Sequence, residues 1–201
     1  MYIPDHFKME TDFIYQSIEE NPFSILVSNN QEEMMATHLP LLLSEDKLSL
    51  IGHFAKPNPQ SLINGKEVLC IFSGPHCYIS PSWYETDRAV PTWNFTAVHV
   101  KGILTIEENS EKIHKSLVNL VHRFESKDSK YKIESVDTHY TEGLKKGIVP
   151  FEIKITNIEG KQKLSQNHSV ERRSLVISNL DLMPGENEKA IASLMKKRLN
   201  Q

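Results

Sequence analysis

Short apolar stretches separated by turn residues dominate the first half of the chain. Phe23 to Ser28 (FSILVS) is β-prone and follows Asn21-Pro22. Met35 to Leu43 is a second run, interrupted by Thr37, His38 and Pro40. Leu48, Leu50 and Gly52 alternate with Ser49, Ile51 and His53, the period-2 signature of a half-buried strand. Val68 to Phe72 is apolar throughout and reads as a strand ending at Gly74-Pro75. Phe95 to Ile106 is longer, and Gly102 inside it predicts a bulge or bend. Little room is left between these strands for the crossover helices of a parallel sheet. The pattern predicts an antiparallel barrel or sandwich. Phe151, Ile153 and Ile155 add a further strand.

Helical spacing is confined to the flanks. Phe13, Ile14 and Ile18 predict a helix over residues 11–20 that stops at Asn21-Pro22. Ile113, Leu117, Leu120, Val121 and Phe124 form one stripe over 110–125, capped by Asn109 or Ser110. That stripe reads as core, with Glu111 and Lys115 pairing on the outer side. Residues 137–146 predict a short helix ending at Gly147, and 170–179 and 187–199 two more, joined around Pro184-Gly185. No repeat or linker is visible. The organisation reads as one domain over 1–201, with 160–201 as its basic helical C-terminal part.

Composition narrows the class without changing the picture. The 201 residues, 39% hydrophobic and 24% charged, exclude a disordered chain and a disulfide scaffold. No apolar run is long enough for a transmembrane helix and the N-terminus lacks a secretory pattern, so a cytoplasmic protein without membrane contact is expected. The two cysteines fit a reduced setting: Cys70 reads as inert in its strand, Cys77 beside His76 as the more reactive. Charge is uneven. Residues 1–100 hold 5 Lys+Arg against 12 Asp+Glu, and 101–201 hold 18 against 14. Residues 160–201 alone carry 8 Lys+Arg and 4 Asp+Glu, including Arg172-Arg173 and Lys196-Lys197-Arg198. They are the one plausible DNA face, although the segment from Leu180 to Glu186 is long for a helix-turn-helix.

Four segments are polar and aromatic where a plain strand would be apolar. They are Thr37-His38-Leu39-Pro40, Gly52-His53 to Gln60 (with Ala55, Lys56 and Asn58), Gly74-Pro75 to Tyr84, and Val90 to Phe95. This is an inventory for a planar, polar, phosphorylated ligand. Trp83, Tyr84 and Trp93 offer flat apolar faces. Thr37, Ser80, Ser82, Thr92, Asn58 and Gln60 offer donors and acceptors. Lys56, and His53 if protonated, offer charge for a phosphate. The same tryptophans read equally well as core anchors. His38, His53, His76 and His99 are too dispersed to predict a metal site, and no phosphate-cradling glycine loop or nucleophile elbow occurs.

In order and spacing these segments resemble the PaiB-type family, the FMN-binding negative transcriptional regulators. The opening Met1-Tyr2-Ile3-Pro4-Asp5-His6-Phe7 is similar to that family's N-terminus, and Lys163-Leu164-Ser165-Gln166-Asn167 to its C-terminal motif. Two departures stand out: Lys56 and His168 occupy positions where the family often has arginine. The resemblance implies a mainly β fold with flanking helices, a split antiparallel β-barrel of the FMN-binding type, paired as a homodimer. It implies FMN held by Thr37, His38, Leu39, Pro40, His53, Ala55, Lys56, Asn58 and Gln60, by Ser80, Ser82, Trp83, Tyr84, Thr92, Trp93 and Asn94, and by Lys163, Ser165 and Gln166. It also implies repression of sporulation or degradative-enzyme genes in related bacteria, with no catalytic residues of its own. The competing readings are a flavin-dependent reductase or oxidase of a small substrate and a haem-binding split-barrel protein.

Overall fold

The computed structural model describes residues 1–30, 33–137, 143 and 145–199. Seven strands run β1 (Phe23–Asn30), β2 (Glu33–Pro40), β3 (Leu42–Leu43), β4 (Ser49–Ala55), β5 (Lys66–Ile79), β6 (Thr92–Ile106) and β7 (Ile148–Lys163). Among the described residues the longer α-helices are α1 (Thr11–Glu20), α2 (Ser110–Phe124), α3 (Val170–Asp181) and α4 (Glu186–Leu199). The strands form one antiparallel sheet in the order β2-β1-β5-β6-β7-β4-β3. The short helix expected over 137–146 lies largely outside the described residues.

The chain divides into two compact units. The first comprises Met1–Asn21, Phe72–His99 and Glu159–Gln201, the second Pro22–Ile71 and Val100–Ile158. In the second unit β1 and β2 form a hairpin, with Phe23 opposite Pro40 and Asn29 opposite Met34. β4 pairs with β7 from Ser49↔Lys154 to Ala55↔Ile148. The inward alternation buries Leu26, Leu50, Phe54, Leu104, Phe151 and Ile153, and the Phe54 and Phe151 rings stack at 4.4 Å. In the first unit α3 and α4 close over Ile79 and Leu164, burying Val176, Leu180, Ile191 and Met195. Ser169 caps α3, its hydroxyl accepting from Arg172 N at 3.2 Å.

Three expectations change. β5 does not stop at Gly74-Pro75 but continues to Ile79. Gly74 fits there because a Cβ would strike the Thr96 side chain; sheet pairing overrides the turn dipeptide. The α2 stripe is not core: none of its residues is buried, and Phe124 is 54% exposed. Its ion pair joins Lys112 to Glu107 at 3.0 Å rather than Glu111 to Lys115. Finally, α3 extends to Asp181, so only residues 182–185 separate it from α4. Gly102 is explained by close approach, since a Cβ there would lie 2.5 Å from Ile153 Cγ2 and from Lys154 O.

Candidate functional site

The structure sorts the candidate residues into two groups, one in each unit. In the second unit the turn after β4 is held by a polar network. Asn58 Nδ2 donates to Thr37 Oγ1 at 2.8 Å, and that hydroxyl donates to Gln60 Oε1. Gln60 Nε2 donates to Ser28 Oγ at 2.7 Å and to Met35 O at 3.3 Å, and Gln60 N donates to Asn58 Oδ1 at 2.9 Å. Gln60 is wholly buried. Pro57 and Pro59 bracket Asn58 and lower the cost of ordering this turn. Lys56 projects from it into solvent. His38 and Ala55 are exposed, Pro40 is half-buried, and Leu39 packs into the core. His53 departs from expectation. Burial pushes its imidazole below the ordinary value, so the half-buried ring favours the neutral form rather than a phosphate-pairing cation.

The first unit brings together the other group. Ser80 caps a single 3-10 turn, Pro81–Trp83, its hydroxyl 2.7 Å from Ser82 Oγ. Trp83 and Tyr84 are partly buried against the α3–α4 core. The Tyr84 hydroxyl is buried without a hydrogen-bond partner, and burial raises its pKa. Its ring lies 4.8 Å beneath the Arg172 guanidinium and 5.8 Å from the His168 ring. Arg172 grips Glu85 with Nε at 3.0 and 3.1 Å and Nη2 at 2.5 Å, which holds the Glu85 carboxyl below the usual carboxylate range.

On β6, Asn94 is fully buried and exchanges hydrogen bonds with Ser165 Oγ at 3.0 and 3.2 Å. Ser165 adopts φ 62°, a left-handed conformation rare outside glycine, asparagine and aspartate. Gln166 ties the same turn down, accepting from Leu164 N at 2.6 Å and donating to Gln162 O at 2.5 Å. Lys163 donates to Thr92 Oγ1 and, at 2.9 Å, to Trp93 O; burial and Lys161 push its pKa down. Trp93 stands 53% exposed, with His76 and Tyr78 rings at 6.1 and 6.3 Å.

Sequence reasoning missed Glu85, Tyr78 and the part played by Arg172. Arg172 looked like a phosphate-directed cation, but it closes an ion pair within its own unit. Only the i,i+4 spacing of His168 and Arg172 hinted at a shared face. The reactive reading of Cys77 is overturned: both thiols are buried, and burial pushes each up to about 12.

Each unit by itself offers groups that suit part of a flavin nucleotide. An exposed lysine on a rigid turn suits a phosphate, an exposed indole a planar ring, and an orphaned tyrosine hydroxyl a polar ring edge.

Comparison with known proteins agrees. Residues 1–157 match the family described as "Putative FMN-binding domain". The chain is 36% identical over 206 residues to Protease synthase and sporulation protein PAI 2 of Bacillus subtilis, covering 100% of this chain and 99% of that protein. It is 30% identical to an uncharacterized protein of Emericella nidulans, covering 96% and 95%. Among solved structures, the flavocytochrome Anf3 from Azotobacter vinelandii superposes with TM-score 0.62 at 10% identity, over 77% of this chain and 67% of that one. The FAD and heme binding protein from Mycobacterium smegmatis gives 0.55 at 8%, over 79% and 74%. These likenesses show the split β-barrel fold. The chain belongs to the PaiB-type family of FMN-binding split-barrel proteins, and flavin is the cofactor that this membership assigns to it.

Proposed function

We propose that the protein is a dimeric, cytoplasmic FMN-binding regulator that represses transcription. The observation that carries this reading is the end-to-end match to the sporulation protein PAI 2. The site supports the flavin part of this reading with groups suited to hold that cofactor. Bound FMN would supply a redox-active ring; the chain's own residues hold and orient it. Lys56, on the turn fixed by Thr37, Asn58 and Gln60, is assigned to a phosphate. Trp93 and the Tyr84 hydroxyl are assigned to the ring. The two assignments are independent of each other.

Fluorescence titration with FMN tests the flavin reading. Saturable quenching is expected, weakened about tenfold by Lys56→Ala and by Trp93→Ala, a change of about 1.4 kcal/mol each. Absence of binding at high micromolar flavin rejects it. Light scattering at two protein concentrations tests the dimer.

DNA contact is assigned to residues 160–201. Lys196 is paired with Asp181 at 2.7 Å and Arg172 with Glu85, while Lys197 has no ion pair among the described residues. A mobility-shift series over salt should show binding that is weak and is lost as salt rises. No shift at low salt rejects direct repression.

A further inference from the structure

α1 and α4 flank an open cleft of about 560 Å³ that lies wholly within the first unit. Phe13, Gln16 and Glu20 line it from one face of α1, and Asn187, Leu194 and Lys197 from one face of α4. Strand residues Ser73 to His76 line it too, together with Thr96 and Gln162. None of the residues assigned to flavin takes part.

The lining contains three largely buried polar side chains whose polar atoms stay accessible from the cleft. Gln162 is 5% exposed, Thr96 6% and Ser17 9%. No side-chain hydrogen bond joins any of the three to another described residue. Three polar side chains free of protein partners thus face one cleft, the arrangement of a site that an outside ligand can bond. All three are neutral, and the Gln162 amide and both hydroxyls can donate and accept. Charge is confined to the helical walls, where Glu20 and Glu186 supply carboxylates and Lys197 an ammonium. Met9, Phe13 and Leu194 add apolar surface.

From this we infer a second small-molecule site, for a free amino acid or dipeptide with a hydroxyl or amide side chain. The neutral buried groups take that side chain. The carboxylates take the ligand's ammonium, and Lys197 takes its carboxylate. The volume accommodates a dipeptide, or one amino acid with bridging water. The site goes beyond the flavin assignment, and the two fail separately.

Thermal-shift and calorimetric titration of the full chain, with and without FMN, test it. The probes are glutamine, serine and glycylglutamine; the controls are N-acetylglutamine amide and glycerol. The three probes should raise the melting temperature progressively with concentration and the controls should not. Ala190→Trp, which fills the cleft, should abolish the effect. Lys197→Ala should weaken it about tenfold. Gln162→Leu should weaken glutamine binding in the same way; if that variant does not fold, the two less buried positions carry the test, with circular dichroism confirming their fold. FMN affinity should be unchanged throughout. The inference is overturned if no probe binds at millimolar concentration, if the capped amide or glycerol binds as well as glutamine, or if binding survives Ala190→Trp.

Discussion

Gln60 holds the turn after β4 through bonds to Ser28, Thr37, Met35 and Asn58. Replacing it by leucine keeps the bulk but strips Ser28 Oγ of its donor and Thr37 Oγ1 of its acceptor, leaving Thr37 only the bond from Asn58. We expect a loss of about 1–3 kcal/mol in urea unfolding, and an unchanged midpoint would contradict the network. Titration gives a second prediction at this scale. Burial is the leading cause that lowers His53, His99 and His168 from the ordinary value of 6.5. The unfolded chain therefore binds their protons more readily. The stability tied to them is complete above 6.5 and declines as the pH falls through their lowered values. The carboxyls of Asp46, Glu85 and Glu107, held low by hydrogen bonds, add a loss of the same sign further into acid. Urea midpoints should drop between neutral pH and about pH 5, less so in His53→Gln; a midpoint that rises toward acid would refute the assignment. Third, with both thiols at about 12, a disulfide reagent should label neither Cys70 nor Cys77 until the chain unfolds.

Among elements, the helices divide by what their apolar faces meet. α3 and α4 each bury three residues, Val176, Ile177 and Leu180 on one and Ile191, Ala192 and Met195 on the other. α2 buries none. Leu180→Ala should cost about 2–5 kcal/mol, whereas Leu120→Ala on α2 should cost far less. Hydrogen exchange should find α2 amides less protected than those of α3 and α4. Equal protection would mean that α2 is covered in solution by something the isolated chain lacks. The α2 stripe marks where periodicity misleads. Spacing shows that a helix has an apolar side; it does not show that anything covers it. β5 marks the reverse case. Gly74-Pro75 carries a strong local turn signal, yet the strand passes through it, and glycine is needed there because the Thr96 side chain occupies the space a Cβ would fill.

For the whole molecule, the steep contrast between an acidic and a basic half of the sequence does not survive folding. The first unit holds 10 Lys+Arg and 12 Asp+Glu, the second 13 and 14, so their formal charges are −2 and −1. The basic C-terminal segment shares its unit with the acidic N-terminus, and Arg172 and Lys196 are already paired there. Any nucleic-acid contact therefore rests on few free cations and should be lost at modest salt. β5, β6 and β7 each run from one unit into the other without a break. We accordingly expect 1–201 to unfold as one domain, with far-ultraviolet and tryptophan signals changing together. Two separated transitions would show that the units are independently stable.

Most of the elements and the residue types of the candidate site were legible in the linear order. Strand alternation, helix caps and turn dipeptides act over a few residues, and the chemistry of an exposed lysine or indole travels with the residue itself. The sequence by itself thus determined the β-rich class, the flanking helices and the segments able to meet a flavin. Only the tertiary structure decided which polar groups found partners. Asn94 meets Ser165, and Glu85 meets Arg172, across 71 and 87 positions. The Tyr84 hydroxyl was left with none. Those outcomes depend on which strands and helices come together, and desolvation acts on the assembled surroundings rather than on the neighbours in the chain.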